Sequence, residues 1–78
     1  MNQMVLIIAT QEYVIYNYRP EGKGSFGEIR MTIGDAEASV ISLSDEDSIG
    51  LYASKAASAV KDCVARKSFP LSFTQAWY

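Results

Sequence analysis

The chain contains no histidine and a single cysteine, Cys63, among its 78 residues. Without histidine the usual general base near neutral pH is missing, and with it the Ser/His/Asp and Cys/His nucleophilic constellations. One cysteine and no histidine also leave no zinc ligand set to assemble within one chain. No internal disulfide can form, which fits a reducing compartment. The charge is nearly balanced, with seven basic and nine acidic residues giving a net charge of -2. That is too little for an acidic tail, and its sign opposes life on a phosphate backbone. The longest apolar run, residues 4–9, is too short for a bilayer span and lacks the basic flank of a signal sequence. The absences together predict a cytoplasmic protein that is not an enzyme, with no cofactor, no metal and no membrane partner.

What is present is enough for one folded domain, residues 1–78. Hydrophobic residues make up 49% of the chain, which argues against disorder. A chain this short buries a thin core and has little stability to spare.

The clearest element spans residues 44–67. Ile49, Tyr52, Ala53, Ala56, Val60, Cys63 and Val64 recur at spacings of three and four, which predicts one apolar stripe on a helix. Ser44 followed by Asp47 resembles a capping box with a shortened acid. Asp45, Glu46 and Asp47 then fall at the positive end of the helix dipole, and Lys61, Arg66 and Lys67 at the negative end. Pro70 requires the helix to end before Phe69. Cys63 lies on the apolar stripe and reads as a small core residue.

The remainder reads as strands. Residues 4–10 are a continuous β-prone apolar run, the pattern of a strand that is buried on both faces or lies in the middle of a sheet. Residues 13–18 are aromatic and β-branched. Residues 19–25 form a loop punctuated by Pro20, Gly22 and Gly24. Residues 26–33 alternate, with Ile29, Met31 and Ile33 facing one way. Gly34-Asp35 reads as a hairpin turn that uses glycine for positive φ, and residues 36–43 as a fourth strand. Residues 71–78 read as an edge strand or an ordered tail, because Phe73, Trp77 and Tyr78 are too apolar to stay in water. The expected fold is α+β in two layers: a four- or five-stranded, mainly antiparallel sheet (β-β-β-β-α, with a possible C-terminal strand) carrying one amphipathic helix on one face.

One helix about 10 Å wide cannot cover a sheet of four or five strands spaced about 4.8 Å apart. Apolar sheet surface is left over, and such surface commonly meets another chain. The expected function is a small non-catalytic protein-binding module. It forms a homodimer or docks a protein partner, with Tyr16, Tyr18, Phe73, Trp77 and Tyr78 as candidate interface residues.

Two motifs suggest other chemistry. Gly22-Lys-Gly-Ser-Phe-Gly27, followed by Glu28 and Ile29, resembles the glycine-rich loop of protein kinases, which implies backbone N–H groups and Lys23 close to a phosphate. The resemblance ends there, since no catalytic-loop or Asp-Phe-Gly motif follows. The alternative function is therefore binding of an anionic small ligand, such as phosphate or a nucleotide, through the loop at 19–27, with Arg19, Gly22, Lys23, Gly24, Gly27 and Arg30 as candidate binding residues. The same loop, with Tyr13, Tyr16 and Tyr18, offers the residue types of a platform for single-stranded RNA, which the acidic balance disfavours. Asp45 to Gly50 matches the first half of a calcium loop, but position twelve of that pattern is Ala56, so the bidentate acid is missing.

Overall fold

A computed structural model describes residues 1–35 and 37–77 of the chain. The elements are β1 (Asn2–Ala9), β2 (Tyr13–Pro20), β3 (Gly27–Thr32), β4 (Ala38–Ser42), α1 (Leu51–Arg66) and β5 (Ser72–Gln75). The strands form one five-stranded sheet in the order β4-β3-β2-β1-β5, and every neighbouring pair is antiparallel. The expected α+β two-layer fold is what the chain adopts, with the C-terminal segment as a fifth strand.

Local chemistry explains the meander. The β1–β2 connection is closed by Thr10, whose hydroxyl oxygen accepts the N–H groups of Glu12 and Tyr13, each at 3.1 Å. Side-chain turns of this kind replace backbone pairing where the chain reverses. A bulge between Leu6 and Ile8 shifts the β1–β2 register, and a second bulge lies in β4 between the partners of Glu28 and Ile29. After β4 the helix carries the chain across the sheet, and β5 pairs along the free edge of β1.

The helix lies on one face only. Met4, Val14, Tyr16, Tyr18, Ile29 and Met31 from the sheet are buried against Ala53, Ala56 and Val60 of α1. The alanines let the helix backbone come close to the sheet, so large side chains come from the strands and small ones from the helix. This layer extends poorly over β4, where all five residues are exposed.

The helix begins later than its sequence pattern suggests. Residues 44–50 are turns, and Gly50 takes a left-handed conformation with φ 76° just before Leu51. The first helical turn therefore carries no acid, and Ile49, expected on the buried stripe, is 85% exposed. The C-terminal end falls where Pro70 demands. Lys67 adopts a left-handed φ of 54°, and the N–H of Ser68 returns to the Cys63 carbonyl at 3.1 Å, a pattern that satisfies last-turn carbonyls. Gly34 does not use positive φ; the glycines that do are Gly22, Gly24 and Gly50.

Candidate functional site

Alternation along β2 sorts its side chains into two sets. Val14, Tyr16, Tyr18 and Pro20 point toward the helix and are buried, while Tyr13, Ile15, Asn17 and Arg19 point the other way and are partly exposed. Tyr16 and Tyr18, candidates for a partner interface, are thus core residues with 0% exposure. They cannot touch a partner while the helix is in place. Phe73 packs edge-on against Tyr16 with ring centroids 5.7 Å apart. Trp77 packs against Tyr52 at 5.5 Å, with the Lys55 ammonium 5.8 Å from its ring. The terminal aromatics thus cover the helix layer. Tyr78 lies outside the described residues.

Tyr18 is the hub of the polar core. Its hydroxyl donates to Asp47 at 2.8 Å and accepts the N–H of Ser44 at 3.1 Å. The buried Asp47 carboxylate also accepts the N–H groups of Tyr52 at 3.0 Å and Ala53 at 2.9 Å. Asp47 therefore caps the helix from five residues upstream of Tyr52, and Ser44 caps a turn instead, accepting the N–H of Glu46 at 3.2 Å. Burial and the neighbouring carboxylate together push the Tyr18 hydroxyl up to about 12. Burial also raises the Tyr16 hydroxyl, which donates to the Pro70 carbonyl at 2.7 Å.

The loop at 19–27 is held largely by its own donors and by acids. Arg19 donates to the Gly24 carbonyl at 2.9 Å, and its guanidinium lies 5.2 Å from the Phe26 ring centroid. The N–H groups of Gly22 and Lys23 return to the Arg19 and Pro20 carbonyls. The N–H of Ser25 donates to Asp45 at 2.7 Å, and Ser25 Oγ accepts the Asp45 N–H at 2.9 Å. A side chain at Gly24 would collide with Asp45 and Glu46. A side chain at Gly27 would collide with the Tyr18 ring, whose hydroxyl is 2.7 Å from the Cβ position. The glycines have structural duties here, and the loop opens toward carboxylates. Arg30 is not part of this cluster. It faces outward from β3 with its guanidinium 4.5 Å above the Tyr13 ring. The three tyrosines considered for an RNA platform are split between the two faces, with Tyr13 alone on the outer one.

What remains is the sheet face opposite the helix. Cross-strand register brings Ile8 opposite Ile15 and Val5 opposite Asn17, with Ile15 opposite Arg30 and Asn17 opposite Glu28 on the other side. Ile8 is 41% exposed, and Val5, Tyr13 and Ile15 are partly exposed. No described element covers this face. Its members were hidden in the sequence by the apolar character of β1 and β2 on both faces; only the choice of which face the helix takes separates Tyr13 and Ile15 from Tyr16 and Tyr18.

One cavity of about 120 Å³ lies between the end of α1 and β5, lined by Cys63, Arg66, Ser68, Pro70 and Phe73. Burial raises the Cys63 thiol, so it is a poor nucleophile. Among the described residues no three His, Cys, Asp or Glu side chains converge on a metal position, and no helix is long and apolar enough to cross a membrane. Comparison with known proteins finds no matching family model, no matching curated protein and no matching solved structure.

Proposed function

We propose that this chain is a non-catalytic protein-binding module that self-associates through the outer face of its sheet. The observation that carries the reading is the row formed by Val5, Ile8, Ile15 and Tyr13 on the face that the helix leaves bare. Its centre is apolar and its surroundings, including Asn17, Glu28 and Arg30, are polar, which is the anatomy of a protein interface. A twofold contact brings a surface against itself, so a patch with one charge sign repels its own copy. Glu28 and Arg30 stand two residues apart on β3, and a second copy can set each against the other. Five strands about 4.8 Å apart give a face roughly 20 to 24 Å wide, broad enough for side chains of several strands to meet a second copy. A buried, unpaired Cys63 suits a reducing compartment such as the cytoplasm.

Binding of phosphate, a nucleotide or RNA at the loop at 19–27 has less support, because Arg19 is already engaged and Asp45 and Glu46 crowd the glycines. The test is light scattering over a concentration series. The chain is expected at twice its 8.6 kDa mass, and Ile15→Asp is expected at the single-chain mass with an unchanged circular-dichroism spectrum. A wild-type monomer at all concentrations overturns self-association.

A further inference from the structure

A second surface stands apart from that face. Strand β4 is an edge of the sheet, and among the described residues no strand lies beyond it. Edge strands offer unpaired backbone N–H and C=O groups, and proteins usually guard them with charge, proline or cover. The sequence of β4, Ala-Ser-Val-Ile-Ser, contains no charge and no proline, and the helix does not shield it, since Val40 is 48% exposed and Ile41 51% exposed. The opposite edge is better protected: β5 has four residues and follows Pro70, with Arg66 and Lys67 close before it in the chain. Within the strand itself the bulge at Ile41 interrupts the edge and limits the free run to a few residues.

The charges around β4 select its occupant. Residues 31–54 contain no Lys or Arg. Asp35 and Glu37 precede the strand, Asp45 and Glu46 follow it, and all four are exposed. A second copy pairing antiparallel about Val40 sets residue 37 beside residue 43 and residue 35 beside residue 45. Acids then crowd both ends of the pair, so self-pairing at this edge is opposed. An apolar segment with basic ends meets the opposite situation at each end. We infer that the β4 edge accepts, by strand addition, a short extended segment of another protein whose apolar, β-branched centre is flanked by Lys or Arg. Main-chain hydrogen bonds supply the attachment, and the acidic ends supply the preference.

The experiment uses two synthetic peptides with the same alternating Val-Thr centre, one flanked by Lys pairs and one by Glu pairs, titrated into the isotopically labelled full chain. The Lys-flanked peptide is expected to shift the amide signals of Ser39, Val40, Ile41 and Ser42, and to bind about tenfold more tightly than the Glu-flanked one at low salt, with the gap shrinking as salt rises. The double variant Glu37→Lys, Glu46→Lys alters only exposed side chains, leaves one acid and one base at each end of β4, and is expected to abolish the preference. The variant Ile15→Asp is expected to leave it unchanged, which separates this site from the outer face. Shifts that miss β4, equal binding of both peptides, or a chain mass that falls on Val40→Lys with no peptide present each overturn the inference.

Discussion

The hydroxyl of Tyr18 donates to the carboxylate of Asp47 at 2.8 Å, across 29 residues of chain. Through the same carboxylate the strand holds the first N–H groups of the helix, those of Tyr52 and Ala53. Removing the acid strands these donors in a buried place, where an unmet donor costs roughly 1–3 kcal/mol. Asp47→Ala is expected to lower stability by about 3 kcal/mol, and Tyr18→Phe by about 1–2 kcal/mol. For a domain of this size the first is a Tm fall of roughly 12 to 24 °C. Because the two groups share one bond, the double variant should be less destabilised than the sum of the singles. Strict additivity in thermal melts would show that the bond contributes nothing.

The same hydroxyl makes stability sensitive to alkaline pH. In the unfolded chain a tyrosine ionises near its ordinary value of 10.0, whereas in the fold Tyr18 is pushed up to about 12. The folded value is the higher one, so the stabilising contribution is complete below pH 10 and is lost as pH rises from 10 through 12. Tyr16 is raised in the same direction by burial and adds to the slope. Chemical denaturation between pH 9 and 12 should show a steep fall in stability, and Tyr18→Phe should flatten it. A flat profile in the wild-type chain contradicts the buried, hydrogen-bonded hydroxyl.

The sheet was largely legible in the sequence because strand signals are local. Apolar runs, alternation at Ile29 and Met31 and the punctuation at 19–25 place β1, β2 and β3 within a few residues. The helix start was not legible, because the spacing from Ser44 to Asp47 satisfies a local capping rule equally well whether or not a helix follows. Its actual role depends on Tyr18, far away in sequence. The bare face was also illegible. Alternation separates Tyr13 and Ile15 from Tyr16 and Tyr18, but only tertiary packing decides which set the helix buries.

Glycine substitutions separate structural duty from loop freedom. At Gly27 a methyl group collides with the Tyr18 ring, and that ring is fixed by the bonds to Asp47 and Ser44. Gly27→Ala is expected to cost about 3 kcal/mol, the upper range for overpacking. At Gly22 there is open space but φ is +69°, so Gly22→Ala should cost about 1 kcal/mol. Gly34 meets no atom within 4 Å and lacks positive φ, so Gly34→Ala should stay within about 0.5 kcal/mol. Urea midpoints for the three variants test the order. Equal costs at Gly27 and Gly34 contradict the close packing of Tyr18 beneath β3.

Cys63 provides a built-in reporter of helix opening. Its side chain is 3% exposed on the sheet-facing side of α1, and burial raises its pKa, so at pH 8 the thiolate fraction is smaller than for a free thiol. The thiol sits at the base of a cavity walled by Arg66 and Phe73. An aromatic disulfide reagent is expected to label the native chain only as fast as the helix lifts from the sheet, and to label it at once in denaturant. Asp47→Ala loosens the helix start and should speed native labelling by the factor that its loss of stability predicts, about tenfold per 1.4 kcal/mol if helix lifting is global unfolding. Rapid labelling of the wild-type chain places the thiol at the surface. An unchanged rate in Asp47→Ala uncouples the Cys63 end of the helix from its cap.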